Sequence, residues 1–367
     1  MMLTWIQPTH GSSKTSESFK FNTLRSLINN MDLLTQGLLG ANLAVTRAQK
    51  HEIRLATGIG FFAGMVADAD ILIQSDQDPL LTIEFHRHFT HSLFFIPFGA
   101  LIAAVLLWPF LRKRLVFFRL YFFCLLGYSL SGVLDALTSY GTHLLWPLIE
   151  TRMALNIISV IDPIFTLILL AAIFITYRNR TATHAIFGLI IACVYLLIGY
   201  TQLQRAELTA LTIAQSRQHE IERLLVKPTL GNLLLWRSIY EYDGRFYVDA
   251  VRTGLFSRPT FYPGESVEKF IKTDYLDRHS LESVLAGDID RFGIFSDGFL
   301  ALQPGTQDLL VDIRYSSLPN SIAPLWAIEM DLAQPDQHAQ FRVFRSMSKT
   351  LREKFIALLM GSKQPAF

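Results

Sequence analysis

The segment EFHRHFTHS, residues 84–92, places three histidines and one glutamate directly before the apolar run LFFIPFGALIAAVLLWPF, residues 93–110. The run has about the length that crosses the hydrocarbon core of a bilayer. Ionisable residues at such a position are costly, and neutral imidazole is the commonest metal ligand in proteins. We therefore expect this segment to supply ligands to a metal centre at a membrane surface.

The composition fits a membrane protein that also has a soluble part. Of the 367 residues, 51% are hydrophobic and 17% are charged, and the mean hydropathy is +0.31. Residues 92–203 hold few charges, whereas residues 204–367 resemble a soluble domain. The net charge of +2 and the absence of a basic cluster argue against nucleic acid as a partner.

The hydropathy pattern predicts a membrane α-helical bundle, with about five to six apolar helices, followed by a soluble β-rich α+β domain. We expect four parts: a polar tail at 1–30, a transmembrane domain at 31–203, a helical stalk at 204–229 and a soluble domain at 230–367. Within the last part, LLLWRSIYEYDGRFYVDAV predicts a β-hairpin that turns at Asp243-Gly244.

The short loops RAQKHEIR, RKRLVFFR and YRNR carry Lys and Arg, which places them in the cytoplasm by the positive-inside rule. Alternation of the spans then puts the soluble domain in the periplasm of a bacterium. It also gathers eight ionisable residues at the non-cytoplasmic end of the bundle: Asp32, Asp68, Asp70, His86, His91, Asp135, His143 and Asp162. Such residues within spans are functional candidates by default.

Three positions leave alternatives open. Asp68 and Asp70 would face nearly opposite sides of a regular helix, so either one of them reaches the site or the helix unwinds there. His86 and His91 fit one site if His86 lies on the loop and His91 in the first turn of the next helix. Asp162 precedes Pro163, where it is either an N-cap or a functional residue.

Four segments resemble the YdjM-type (DUF457) family, a group of membrane-bound proteins described as predicted metal-dependent hydrolases. The segments are MDLLTQGLLGA (31–41), HRHFTHSL (86–93), LDALTSYGTHLLWP (134–147) and IISVIDPIFTL (157–167). The similarity is dense from about residue 31 to 170 and fainter in the soluble half. It implies a metal-dependent hydrolase whose site residues lie in these motifs.

The resemblance assigns roles where residues match. His86, Arg87, Thr90, His91 and Ser92 match the motif HRG-[FY]-[ST]-HS, with His88 in place of its glycine. Asp68 and Asp70 match the acids of a PDxD motif, with Ala67 in place of its proline, and Asp135 matches the acid of a third motif. The family typically has a histidine four residues before that acid, where this chain has Ser131.

The leading hypothesis is a multi-pass metal-dependent hydrolase at the outer face of the bacterial inner membrane. We predict His86, His91, Asp70 and Asp135 as metal ligands, with Asp68 next. Asp68 or Glu84 would act as general base, and Arg87 would hold a phosphate or a developing oxyanion. This donor set suits zinc, with manganese or iron as alternatives.

The location favours membrane lipids as partners and a small-molecule or lipid-linked substrate, such as a phosphoester. Two other functions fit the same sequence. The bundle could be a non-catalytic anchor that presents a soluble binding domain, its polar residues holding the helices together. Alternatively, Asp68, Asp70 and Asp135 could form an ion or proton pathway.

Overall fold

The computed structural model describes residues 31–276, 282–344 and 347–362. The expected polar tail at 1–30 and the side chain of Asp32 lie outside the described residues. The helices of the first half are α1 (Met31–Val45), α2 (Ile53–Val66), α3 (Leu81–Phe85), α4 (Ile96–Leu111), α5 (Phe117–Tyr128), α6 (Ser131–Leu137), α7 (Pro163–Asn179) and α8 (Thr183–Ser216).

The described part of the chain has four helical segments that are long and apolar enough to cross a membrane: Ile53–Leu72, Leu93–Leu111, Phe117–Leu137 and Thr183–Ser216. Two further apolar helices, Leu33–Val45 and Pro163–Asn179, are shorter. The predicted fold class is therefore confirmed. The number of full-length spans is slightly below the expected count, because α1 and α7 are too short to count among them.

Glycines bring α1, α2 and α5 into close contact. A Cβ atom at Gly40 would overlap the carbonyl oxygens of Gly60 and Gly127, and one at Gly60 would overlap the carbonyl oxygen of Gly40. Helices in membranes associate through such small residues because their backbones can then approach closely. This packing sets the spacing of the helices that carry the acidic side chains.

The soluble half contains two antiparallel sheets. The first has the order β1-β2-β3-β4, and β5 also pairs with β3; the second has the order β6-β7-β8-β9. The strands are β1 (Arg223–Pro228), β2 (Leu235–Tyr242), β3 (Arg245–Arg252), β4 (Thr260–Tyr262), β5 (Ser266–Glu268), β6 (Leu300–Leu302), β7 (Leu309–Asp312), β8 (Trp326–Glu329) and β9 (Gln340–Val343). The helices are α9 (Lys272–Tyr275), α10 (Val284–Phe295) and α11 (Lys349–Met360).

The predicted hairpin is present. Tyr242 pairs with Arg245, which leaves Asp243 and Gly244 as the two turn residues, with φ angles of 51° and 65°. Positive φ at both positions is the geometry of a type I′ turn, for which Asp-Gly is a preferred pair. The interpretation of this segment from its sequence is confirmed.

The segment expected to be a separate helical stalk is different in the structure. Helix α8 ends at Ser216, and residues 223–228 form β1, which pairs with β2 along its whole length. The end of α8 packs on this sheet through Ala206, Ala210 and Ile213, which contact the side of the sheet that carries Trp236. The helix is thus part of the soluble core as well as of the membrane bundle.

The soluble domain lies directly on the loops that leave the bundle. The two sheets pack face to face through residues such as Phe246 and Phe299. The other side of the second sheet carries α10 and also packs against Leu80 and Tyr140 from the bundle's loops. Tyr315 donates a hydrogen bond of 2.7 Å to the carbonyl oxygen of Ser139. The ionisable end of the bundle is therefore covered by the β-rich domain.

Candidate metal centre

His91 lies at the centre of a buried cluster. It belongs to a short 3₁₀ turn, Phe89–His91, and is 2% exposed. Its Nε2 is 3.0 Å from Oδ2 of Asp135 and 3.3 Å from Oδ1 of Asp68. Asp135 comes from α6, and Asp68 comes from the 3₁₀ segment Ala67–Leu72 that continues α2. These three side chains are close enough to bind one ion.

The change of helix type at Ala67 lets both acids of the ADAD segment reach His91. Asp68 approaches Nε2, while Oδ2 of Asp70 lies 3.4 Å from Nδ1 on the other edge of the same imidazole. A local 3₁₀ stretch within a helix often marks a functional position. The two acids therefore do not face opposite sides, as they would on a regular helix, because the tighter 3₁₀ segment brings both of them to His91.

Asp70 holds in place the segment EFHRHFTHS, residues 84–92, which we call the histidine segment. Its carboxylate accepts hydrogen bonds from the backbone N–H of Arg87 at 2.8 Å and from Oγ1 of Thr90 at 2.6 Å. It also shares a hydrogen bond of 3.0 Å with Nδ1 of His86. Arg87 has a φ of 60°, which is uncommon for a residue other than glycine. In this conformation its backbone N–H donates to Asp70.

The predicted ligands therefore occupy two positions. His91 and Asp135 lie in the cluster with Asp68, whereas His86 and Asp70 pair with each other beside it. The side chain of His86 is 22% exposed and lies at the mouth of the site. The roles of all these residues as ligands stay predictions.

Gln36 is a site residue that sequence reasoning missed. Its Nε2 donates to Oδ1 of Asp135 at 3.0 Å and lies 3.5 Å from Oδ1 of Asp68. The signal in the sequence was a glutamine within the apolar segment that forms α1. In the structure this side chain is buried, with 1% exposure. A buried amide in such a helix needs hydrogen-bond partners, and these carboxylates provide them.

Arg87 and Glu84, both predicted to be catalytic, have different surroundings. Arg87 is buried, with its Nε 3.1 Å from Oδ2 of Asp135 and its guanidinium 5.0 Å from the centre of the Tyr140 ring. Glu84 instead binds Arg291 of α10 at 2.6 Å and is not part of the cluster. The structure brings Arg87 to the site and directs Glu84 to the soluble domain.

The rings of His88 and His143 lie against each other beside the site. Their rings are 4.4 Å apart, and Nδ1 of His143 hydrogen-bonds the carbonyl oxygen of Glu150 at 2.6 Å. Burial, with a contribution from nearby Arg152, lowers the pKa of His143 to about 4. His88 packs next to Trp146. Among the contacts of the described residues, neither histidine touches the carboxylates of Asp68 or Asp135.

Ser131, at the position where the family typically has histidine, is buried and donates to the carbonyl oxygen of Gly64 at 3.2 Å. At the adjacent Gly132, a Cβ atom would overlap the carbonyl oxygen of His91, so the backbone of α6 directly contacts the 3₁₀ turn that carries His91.

Asp162 caps α7, because its Oδ1 accepts from the N–H groups of Ile164 and Phe165 at 3.0 Å. The capping interpretation of Asp162 is confirmed.

The donor set fits a divalent metal. Nε2 of His91 and Oδ2 of Asp135 are buried polar atoms without a hydrogen-bond partner among the described residues. A proton on Nδ1 of His91, donated to Oγ1 of Thr90, leaves the Nε2 lone pair pointing at two carboxylates, an arrangement that a cation between them would stabilise. Thr90 in turn donates to Asp70, so the other nitrogen of His91 is oriented by hydrogen bonds, as is usual for histidine ligands. One imidazole and two carboxylates suit zinc, manganese or iron.

These features define a class: a multi-span membrane protein with a buried histidine–aspartate cluster under a β-rich soluble domain. The membrane domain matches the family described as YdjM inner membrane protein over residues 31–206. The resemblance predicted from the motifs is thereby confirmed over this region, which contains all three residues of the cluster. Comparison with curated proteins and with solved structures gives no match.

Proposed function

We propose that the protein is a metal-dependent hydrolase of the bacterial inner membrane, with the metal held by Asp68, His91 and Asp135. One observation carries the proposal. Nε2 of buried His91 lies within 3.3 Å of one carboxylate and 3.0 Å of another, and it has no hydrogen-bond partner among the described residues. A binding site for a cation accounts for this geometry.

The surrounding side chains prepare these three donors. Asp70 and Thr90 face Nδ1 of His91 and fix the ring so that Nε2 points into the cluster. Gln36 holds Oδ1 of Asp135 and leaves Oδ2 directed at His91. A divalent ion bound there would polarise the scissile group and lower the pKa of a water molecule.

Proton transfer and charge stabilisation are assigned to Asp68 and Arg87. The side chain of Asp68 is 10% exposed, so it can reach both the ion and water, and it is the better general base because Glu84 is held by Arg291. Arg87 places a guanidinium beside the cluster, where it can stabilise an anionic group of the substrate. The position at the bilayer edge favours a lipid-linked or phosphoester substrate.

Metal analysis of the purified full-length chain tests the proposal. We expect a stoichiometric divalent metal in the unchanged protein and its loss in His91→Gln and Asp135→Asn. Matched controls are His184→Gln, beside Asn179 and far from the cluster, and Asp243→Asn, in the hairpin turn. Metal-free protein with a normal fold, or metal retained in both cluster variants, would contradict the proposal.

A hydrolysis assay separates the enzyme from the other functions. Protein in vesicles of bacterial membrane lipids should release a water-soluble product, and chelation should stop the release. A doubly protonated His91 would satisfy the same two carboxylates without a metal, which is the arrangement that favours a proton pathway. In that case Asp68→Asn would abolish proton flux while no product forms and no metal is bound.

A further inference from the structure

A loop of the soluble domain exposes large apolar side chains. Leu255 is 56% exposed and Phe256 is 100% exposed, and both lie in the loop after β3. Leu230, in the loop after β1, is 58% exposed. Leaving such side chains in water is unfavourable, because apolar surface is stabilised by burial. Exposed apolar groups on a soluble domain commonly mark a surface for a membrane or for another protein.

The loop is fixed to the helix that leaves the membrane. The guanidinium of Arg205 on α8 donates to the carbonyl oxygens of Thr253 at 3.1 Å, of Gly254 at 2.9 Å and of Ser257 at 2.6 Å. Gln202, one turn earlier on α8, donates to the carbonyl oxygen of Gly254 at 2.7 Å. Contacts from two side chains of α8 to three carbonyl oxygens of this loop therefore set the position of Leu255 and Phe256 along the helix.

The same part of α8 carries the residue pattern of a bilayer boundary. Leu197 is 64% exposed and Tyr200 is 50% exposed, so this stretch of the span has an apolar outer surface. Tyr200 and Arg205 are five residues apart, which is about 7.5 Å along a helix. A tyrosine followed by an arginine at this separation is typical of the boundary between hydrocarbon and headgroups.

A second contact places Leu230 at the same level. Its neighbour Gly231 lies against the ring of Pro163, the first residue of α7, and its N–H donates to Oγ of Ser159 at 3.0 Å. The start of α7 is the point where the chain re-enters the apolar layer. Leu230 and the loop of Phe256 thus both lie beside the membrane ends of helices.

We infer that Leu230, Leu255 and Phe256 insert into the leaflet on the soluble domain's side and anchor that domain to the lipid surface. Exposed Arg258 follows in the same loop and would contact anionic headgroups. The partner of this surface is lipid, because the surface continues the lipid-facing side of α8. The inference does not depend on a metal or on hydrolysis.

Depth-dependent fluorescence quenching tests this inference on the full chain. A bimane label is placed at Phe256→Cys in a Cys193→Ala background, where the remaining Cys124 is fully buried in the bundle. The protein is reconstituted in phosphatidylcholine–phosphatidylglycerol vesicles that carry a nitroxide either near the headgroup or deep in the acyl chain. We expect strong loss of fluorescence with the shallow nitroxide and weaker loss with the deep one.

Two matched positions calibrate the result. A label on the natural Cys193, ten residues into α8 and about 15 Å from its start, should respond to the deep nitroxide. A label at Asp243→Cys, at the opposite end of the β2–β3 hairpin, should respond to neither lipid quencher. If the label at position 256 behaves like the one at 243, or is shielded from both lipid and aqueous iodide by a second copy of the chain, the inference is wrong. Because Phe256 is fully exposed, its replacement removes no packing.

Discussion

A single imidazole organises the site at the scale of residues. His91 has a carboxylate on each edge of its ring, Asp70 near Nδ1 and Asp68 near Nε2, and Asp135 also approaches Nε2. Three acids around one ring in a membrane protein would repel one another without compensating positive charge. Arg87 supplies part of that charge at 3.1 Å from Asp135, and a bound metal would supply the rest.

Replacement of Gln36 tests the support of the cluster. Gln36→Ala removes the amide that donates to Asp135 and leaves the three donor atoms in place. Loss of a supporting hydrogen bond to a ligand typically weakens metal affinity about 10- to 100-fold. Competition with a coloured chelator measures this change. Asn42→Ala removes a buried amide from the same helix, bonded only to backbone oxygens, and should leave affinity unchanged. Equal affinity in both variants would show that Gln36 has no part in the site.

Lys227 provides a stability prediction outside the spans. It is 5% exposed, its Nζ is 3.0 Å from the centre of the Tyr315 ring, and it has no hydrogen-bond partner among the described residues. Burial lowers its pKa well below the ordinary value, and neighbouring Arg314 adds to the effect. The unfolded chain therefore binds the proton more tightly, so stability should rise with pH until the unfolded lysine also loses its proton.

We expect Lys227→Met to stabilise the protein by about 1–4 kcal/mol at neutral pH and to flatten this pH dependence, since the methionine fills the space without a buried amine. Thermal unfolding of the full chain in detergent provides the measurement. Lys269→Met should do the opposite, because it leaves the buried carboxylate of Glu241 without its ion pair. A lower melting temperature for Lys227→Met would show that the amine contributes to stability.

At the scale of elements, α10 clamps the loop that leads into the histidine segment. Arg291 donates to both carboxylate oxygens of Asp78, at 3.0 and 2.9 Å, and to Glu84 at 2.6 Å. Asp288 on the same helix also receives a hydrogen bond from Arg291 at 3.2 Å. One guanidinium thus joins the soluble domain to the mouth of the site.

Removal of this clamp should loosen the loop. In Arg291→Gln the three carboxylates lose their shared cation and repel one another, so we expect faster proteolytic cleavage within residues 73–80. Arg245→Gln is the matched control, since it breaks an exposed ion pair with Glu268 that contributes little. Unchanged cleavage in Arg291→Gln would mean that packing of Leu80 and Ile83 on the second sheet holds the loop by itself.

Elements whose signals are local could be predicted from the sequence. The Asp243-Gly244 turn needs two positive φ angles, and Pro163 suits the first turn of a helix with Asp162 as its N-cap, so each pattern has few competing structures. Strand β1 could not be separated from the preceding helix, because its structure depends on pairing with β2. The sequence could not predict that Asp68, rather than Asp70, lies in the cluster with His91 and Asp135. Their placement depends on a 3₁₀ segment, and six residues are too few to give a periodic signal.

At the scale of the whole molecule, the cluster lies between a helical bundle and a β-rich domain that covers its open end. Ser139 and Tyr140 of the bundle's loops contact Tyr315 and Phe295 of the soluble domain. Among the proposed site residues, His86 is more exposed than Asp68, His91 or Asp135. A substrate would therefore approach past His86, along the boundary between the two halves.

The orientation of the molecule decides which substrates can reach that boundary. The basic loops predict that Lys113 lies in the cytoplasm and that the soluble domain lies in the periplasm. Single cysteines at Lys113→Cys and Asp243→Cys, in a Cys193→Ala background, can be tested in intact cells with a membrane-impermeant maleimide. We expect labelling at position 243 before lysis and at position 113 only after it, since both sites are exposed to solvent. The reverse pattern would place the cluster at the cytoplasmic surface and exclude lipid-linked substrates of the outer leaflet, while leaving the metal and anchoring proposals intact.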